Sequence, residues 1–108
     1  MATARIPQPT AADPVKVDPK NYKVEFENDR IRVLRVKYKP GEKSVMHSHP
    51  ETVAVFLNEA HAKFTYPDGQ SEDINASAGS VQHLDAFTHL PESTSKASFE
   101  VVLVELKG

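Results

Sequence analysis

The chain has 108 residues, 39% of them hydrophobic, which is enough for one ordinary domain but too few for two. Its net charge of −2 argues against a nucleic-acid partner, because nucleic acids bind basic faces. There is no cysteine, so any metal ion must be bound by imidazole or carboxylate. No apolar run approaches the roughly 20 residues that cross a bilayer, and the first 20 residues lack the apolar core of a signal peptide. We therefore expect a cytoplasmic protein with no membrane partner.

The first 20 residues are rich in proline and contain four of the eight prolines of the chain. Proline fixes φ and removes a backbone donor. The composition predicts an extended N-terminal arm over residues 1–20, with neither a helix nor a central strand, followed by one domain over residues 21–108.

Two strands are predicted at the start of this domain. In "YKVEFEN" the apolar residues alternate strictly, which places Tyr22, Val24 and Phe26 on one face. In "RIRVLRVKYK" the apolar residues change parity between Val33 and Leu34. Such a change of parity predicts a β-bulge in this second strand.

Short strand-like segments continue to the end of the chain, separated by turn signals. In order they are "TVAVFLN", "AHAKFTYP", "SEDIN", "VQHLDAFTHL" and "SFEVVLVEL", and the last is apolar enough to be buried on both faces. No segment has a convincing helical period. The pattern predicts an all-β barrel or sandwich.

Two of the five histidines, His47 and His49, lie one residue apart in "GEKSVMHSHP". Side chains two residues apart in a strand point to the same face, so both imidazoles are directed into one space. Two further histidines, His83 and His89, lie in "AGSVQHLDAFTHLPES". The four side chains are therefore candidates for a metal site shared between two regions of the chain.

Together these two regions resemble the motifs of the cupin superfamily. Gly41, five residues and His47-Ser48-His49 match the first cupin motif, and Gly79 and His89 match the start and the histidine of the second. The resemblance implies a single small jelly-roll β-barrel that holds a metal ion inside. Cupins of this size are commonly dimers, so we also expect a homodimer, with the arm or the first strands in the contact.

The chain departs from the family pattern at the expected carboxylate ligand. The motif spacing places Val53 or Ala54 where cupins have a glutamate, and neither side chain binds a metal ion. In the second motif Asp85, Phe87 and Ser93 replace a proline, a glycine and an asparagine. The resemblance thus implies a three-histidine site, formed by His47, His49 and His89, for Fe(II), Zn, Ni or Mn.

Other residues near the two motifs are candidates for supporting roles. Glu51 and His83 are candidates for an additional ligand or an acid/base group, and Asp85 for orienting a ligand imidazole. For the pocket wall we expect Phe56, Phe87 and Val53, and Arg35 is a candidate to bind a substrate carboxylate. His61 is expected at the surface. No residue is assigned as the catalytic acid or base.

Three neutral imidazoles leave the full charge on a divalent ion, which favours a small anionic, chelating ligand. Some cupins that cleave carbon–carbon bonds with oxygen are similar in using three histidines and iron. The expected function is a small metal-dependent enzyme of oxygenase, isomerase or lyase type. The alternative is a non-catalytic module of the same fold that binds a small ligand or a metal ion.

Overall fold

A computed structural model describes residues 12–108 and confirms the predicted all-β architecture. In this part of the chain there is one helical turn, α1 (Pro14–Val17), and there are nine strands. The strands are β1 (Tyr22–Glu27), β2 (Ile31–Tyr38), β3 (His47–His49), β4 (Thr52–Phe56), β5 (Ala60–Thr65), β6 (Ser71–Ala76), β7 (Val81–Leu84), β8 (Phe87–Ser93) and β9 (Phe99–Leu106). No helix among these residues is long and apolar enough to span a membrane.

The strands form two antiparallel sheets with the core between them. One sheet has the order β1-β2-β9-β4-β7 and the other has the order β3-β8-β5-β6. The most apolar strand, β9, lies at the centre of the five-stranded sheet, as its sequence predicts. The buried core draws on both sheets and consists of Tyr22, Leu34, Val36, Tyr38, Ala54, Phe56, Ala60, Ala62, Ala76, Phe99 and Val101.

The predicted bulge exists, but it lies in β1 and not in β2. β2 pairs with β9 without a break from Ile31 to Tyr38, whereas the register of β1 shifts between Val24 and Phe26. The extra residue turns Phe26 to the outer face of the sheet, where it lies opposite Val33 and is 54% exposed. The prediction that Tyr22, Val24 and Phe26 share one face was therefore wrong for Phe26.

The predicted arm contains a helical turn, so the exclusion of helix from this segment was wrong. Pro14 occupies the start of α1, where its missing N–H costs nothing, and Asp13 caps the turn by accepting from the Val15 N–H at 3.0 Å. The segment also contacts β3, because the Ser48 N–H donates to the Ala12 carbonyl at 3.0 Å. The remainder of the predicted arm, residues 1–11, lies outside the described residues.

Candidate metal centre

The register of two short strands brings three histidines together. In β3 the side chains of His47 and His49 are buried on one face. β3 pairs with β8 so that His47 lies directly opposite His89. Residues that lie directly opposite each other on two antiparallel strands point to the same face of the sheet. All three imidazoles therefore point into the barrel. We call His47, His49 and His89 the histidine cluster.

The histidine cluster is compact and shielded from water. Its members are 0%, 2% and 4% exposed, and their ligand atoms all lie within 4.8 Å of one another. Nε2 of His89 lies 3.1 Å from Nε2 of His47. Two imidazole nitrogens that bind one ion at about 2.0–2.1 Å are about 3 Å apart when their bonds are near a right angle. The spacing therefore fits a shared metal ion, and without an ion it fits an N–H···N hydrogen bond.

Hydrogen bonds fix the orientation of two of these rings. Nδ1 of His47 donates to the Val45 carbonyl at 2.8 Å, and Nδ1 of His49 donates to Oε2 of Glu105 at 2.9 Å. Each ring is then left with the lone pair of Nε2, which is the form that binds a metal ion. Nδ1 of His89 is buried and has no partner among the described residues. The donor set present fits a divalent ion that accepts imidazole.

Burial keeps His47 and His89 uncharged. The pKa of His47 is lowered to about 4, mainly by burial and then by the neighbouring His49. The pKa of His89 lies well below its usual value, first because of burial and then because of the two adjacent imidazoles. Both rings are therefore neutral near pH 7, and neutral imidazole is the state that metal binding requires.

A series of hydrogen-bonded charged side chains holds the His49 ring in place. Glu105, only 2% exposed, bonds His49 with one carboxylate oxygen and accepts from Nε of Arg32 with the other at 2.8 Å. The same guanidinium donates two bonds of 3.0 Å to the carboxylate of Asp13. A buried carboxylate needs such a partner, so the Arg32 charge offsets the cost of placing Glu105 beside the site.

The roles of these charged side chains were not predicted from the sequence. A signal for Glu105 was present, because it is the charged residue of the apolar strand "VVLVEL" and shares the inward parity of Phe99 and Val101. The roles of Arg32 and Asp13 depend on long-range pairing and left no such signal.

The barrel encloses a cavity of about 70 Å³ next to the histidine cluster. His49 and His89 are in its wall, and its remaining wall is mostly apolar and includes Phe56, Phe87 and Ala54. No lysine or arginine of the described chain lines it. Val53, predicted for the pocket wall, is not there. Side chains alternate along β4, so Ala54 faces the cavity and Val53 faces the opposite side of the sheet.

The other predicted site residues lie away from the cavity. Glu51, His83 and Asp85 form a separate group near the surface, in which Nε2 of His83 lies 2.6 Å from Oε2 of Glu51. Arg35, a candidate for a substrate carboxylate, instead lies on the outer face of β2 within 3.6 Å of Glu100. It points outward because β2 alternates and Leu34 and Val36 take the inward positions.

His61 is at the surface, as expected. Its two ring nitrogens contact Glu59 at 2.7 Å and Asn75 at 2.6 Å.

Comparison with solved structures identifies the fold, whereas neither a protein-family model nor a curated protein sequence matches the chain. A cupin domain protein from Bordetella pertussis Tohama I superimposes with a TM-score of 0.74 at 22% identity, over 81% of this chain and 92% of that one. An RmlC-like cupin protein from Desulfovibrio desulfuricans gives 0.55 at 18% identity over 97% and 96%. The polyketide cyclase RemF from Streptomyces resistomycificus gives 0.56 at 14% identity over 81% and 64%. At these identities the likeness establishes architecture, and the chain accordingly has the fold of a small cupin superfamily protein.

Proposed function

We propose that the protein is a small metal-dependent enzyme that binds one divalent ion, Fe(II), Zn, Ni or Mn, through His47, His49 and His89. The observation that carries the proposal is the histidine cluster itself: three buried imidazoles whose ligand atoms lie within 4.8 Å of one another. When bound, such an ion supplies a Lewis acid or a site for oxygen activation. Three protein ligands leave positions free for a substrate.

The substrate class follows from charge and from the cavity wall. Three neutral ligands leave the ion with its full positive charge, which favours an anionic group bound directly to it. The wall offers no described lysine or arginine to a second charged group and is mostly apolar. The proposed substrate is therefore a small metabolite with one anionic, chelating head and a short apolar body.

The cavity limits the length of that body. An apolar cavity of about 150 Å³ holds a benzene molecule, so about 70 Å³ holds roughly half as many heavy atoms. Phe56 and Phe87 would contact the apolar part of the substrate and exclude water from its reacting end. The reaction would be of oxygenase, isomerase or lyase type.

A non-catalytic binding module is the second candidate, and one observation favours it. Tyr22 and Tyr38 lie in the cavity wall with their hydroxyls 2.7 Å apart, so that one hydroxyl donates a hydrogen bond to the other. Burial raises the pKa of both tyrosines, so neither is poised to accept a proton at neutral pH. Ala54, at a cavity position that the motif spacing gives to a carboxylate, offers no acid or base.

Metal content and ligand length test the proposal. Untagged protein should contain near-stoichiometric metal, and a His47→Gln, His89→Gln variant should contain none at the histidine cluster. With cobalt-loaded protein, butyrate should bind about 10-fold more tightly than acetate, because each of its two extra methylenes contributes about 0.8 kcal/mol when buried. Failure of the purified protein to bind any of the four metals through these histidines would overturn the proposal.

Turnover separates the two candidates. The metal-loaded protein would be incubated with short diketones and keto acids while oxygen uptake and product are followed. Product formation that is lost in the His47→Gln, His89→Gln variant supports the enzyme. A ligand-dependent rise in melting temperature without any product supports the binding module.

We also propose that the protein is a homodimer. Apolar side chains on the outer face of the five-stranded sheet support this, since Val33 lies opposite Val104 and Val104 lies opposite Val53. Phe26 lies opposite Val33 at the end of this row, and Val81 lies on the same face opposite Val55; the two residues are 54% and 62% exposed. Exposed apolar patches of this kind are typical of protein contacts.

A further inference from the structure

We propose that Glu51, His83 and Asp85 form a second divalent-metal site, exposed to solvent and separate from the histidine cluster. We call these three residues the outer cluster. Their ligand atoms all lie within 4.8 Å of one another, and the shortest contact is the 2.6 Å between His83 and Glu51. The inference does not depend on the proposed function.

The backbone fixes the outer cluster from three places in the chain. Glu51 lies between β3 and β4, where its carbonyl accepts from the Leu106 N–H at 2.8 Å. His83 is on β7, paired with Val53 of β4. Asp85 follows β7 in the short connection to β8. His83 is held within a strand, and Glu51 and Asp85 are each next to the end of a strand, so the three positions are fixed by short connections and not by a long loop.

The charge of the outer cluster is not balanced by a base. The outer cluster contains two carboxylates and one imidazole, and in the described chain neither carboxylate forms an ion pair with lysine or arginine. Other acidic side chains do have such partners: Glu27 pairs with Lys107, Glu42 with Lys20 and Glu105 with Arg32. A divalent cation would supply the positive charge that no lysine or arginine of the described chain supplies there.

The ligand types define the class of metal. One imidazole with two carboxylates suits Zn, Ni, Co or Mn. His83 and Glu51 have side chains that are 55% and 40% exposed, so the ion would keep water in its remaining positions and exchange readily. Glu51 also lines an open cleft of about 690 Å³ whose wall includes Arg32 and Lys107. A bound ion would therefore be accessible to a ligand entering this cleft.

The simpler explanation for the outer cluster is an ordinary surface ion pair. His61 is an example of such a pair in this protein. His61 also contacts a glutamate, Glu59 at 2.7 Å, but its other nitrogen is bound to Asn75 and the group contains no second carboxylate. The outer cluster differs by the third ligand, Asp85. His61 therefore provides a matched control.

Zinc titration by calorimetry tests the inference on untagged, chelator-treated full-length protein. Four proteins are compared: wild type, His83→Gln/Asp85→Asn, His47→Gln/His89→Gln, and His61→Gln. We expect two equivalents for wild type and for His61→Gln, and one for each double variant. Loss of only the second equivalent in His83→Gln/Asp85→Asn, with the first unchanged, is the specific signature.

The outcomes separate this inference from the proposed function. One equivalent in wild type that vanishes in His83→Gln/Asp85→Asn supports the outer cluster and counts against the histidine cluster. An unchanged stoichiometry in that variant overturns the inference. If the buried double variant fails to fold, the comparison of wild type, His61→Gln and His83→Gln/Asp85→Asn still decides, because only the last protein should lose one equivalent of zinc. Loss of one equivalent in His61→Gln as well would overturn the inference.

Discussion

The Glu105 carboxylate connects the stability of the barrel to the orientation of a metal ligand. One of its oxygens accepts from Nδ1 of His49 and the other from Arg32. Without the Glu105 carboxylate Arg32 keeps its pair with Asp13, so the expected cost is that of a lost hydrogen bond to a charged group, about 1.5–3 kcal/mol. Changing the partner of a ligating histidine typically weakens metal binding by about 10–100-fold.

We therefore expect Glu105→Gln to lower both the free energy of unfolding and the affinity for metal. Urea denaturation and zinc calorimetry measure the two effects. Glu100→Gln is the control on the same strand, because Glu100 faces outward and contacts only Arg35 among the ion pairs of the described chain. Equal metal affinity in Glu105→Gln and Glu100→Gln would contradict a positioning role for Glu105.

The neutral histidines predict how the stability of the metal-free protein depends on pH. The folded state holds the pKa of His47 at about 4 and that of His89 well below its usual value, whereas the unfolded chain takes up protons near 6.5. Between these values the unfolded state binds more protons, so stability must fall as the pH is lowered. We expect a loss of about 2–4 kcal/mol between pH 7 and pH 5, up to about 2 kcal/mol for each histidine.

Urea denaturation at several pH values measures this loss. The loss should be smaller in His47→Gln/His89→Gln, which removes both buried imidazoles. His61 acts in the opposite sense, because hydrogen bonds to Asn75 and Glu59 raise its pKa. His61→Gln should therefore not reduce the loss, and a flat profile for wild type would contradict the prediction.

The segment before β1 stabilises the barrel through Asp13. This carboxylate caps α1 and also accepts two hydrogen bonds from Arg32. The Arg32 guanidinium holds the pKa of Asp13 below its usual value, so Asp13 is charged at neutral pH. Removal of an N-cap alone costs about 1 kcal/mol, and the charged pair adds to it.

We expect Asp13→Ala to lower the free energy of unfolding by about 1–3 kcal/mol. It should also speed amide exchange at Ser48, whose N–H donates to Ala12. Asp29→Ala, at an exposed position between β1 and β2, is the control and should change neither quantity. Unaltered exchange at Ser48 in Asp13→Ala would show that the segment is held by other contacts.

The strands also show which parts of the site can be predicted from the sequence and which cannot. The period-2 pattern placed His47 and His49 on one face, because that property is local to a strand. The bulge was assigned to the wrong strand, because β1 alternates cleanly and only its pairing with β2 reveals the register shift near Phe26. Arg32 and Glu105 are 73 residues apart, and no local pattern predicts a contact at that separation.

The two faces of the five-stranded sheet differ in their surroundings. Its inner face lines the cavity, and its outer face carries an apolar row that begins at Phe26, with Val81 exposed on the same face. The end strands of this sheet, β1 and β7, each have one edge that is unpaired within the described chain. Proteins protect such edges and faces by covering them, and we expect a second copy to pack on this face around Phe26 of β1, at the opposite end of the sheet from His83 of β7.

We therefore expect light scattering to give a mass near twice the 12.0 kDa of the chain. Phe26→Lys should shift the protein toward a single chain, because it places a charge at the end of the apolar row, whereas Val81→Lys, at the opposite edge near His83, should have a smaller effect. Val45→Lys is the matched control: Val45 is 46% exposed but lies between β2 and β3, off the sheet face. A single-chain mass for wild type at all concentrations would exclude the dimer. A dimer that is disrupted equally by all three substitutions would move the contact away from this face.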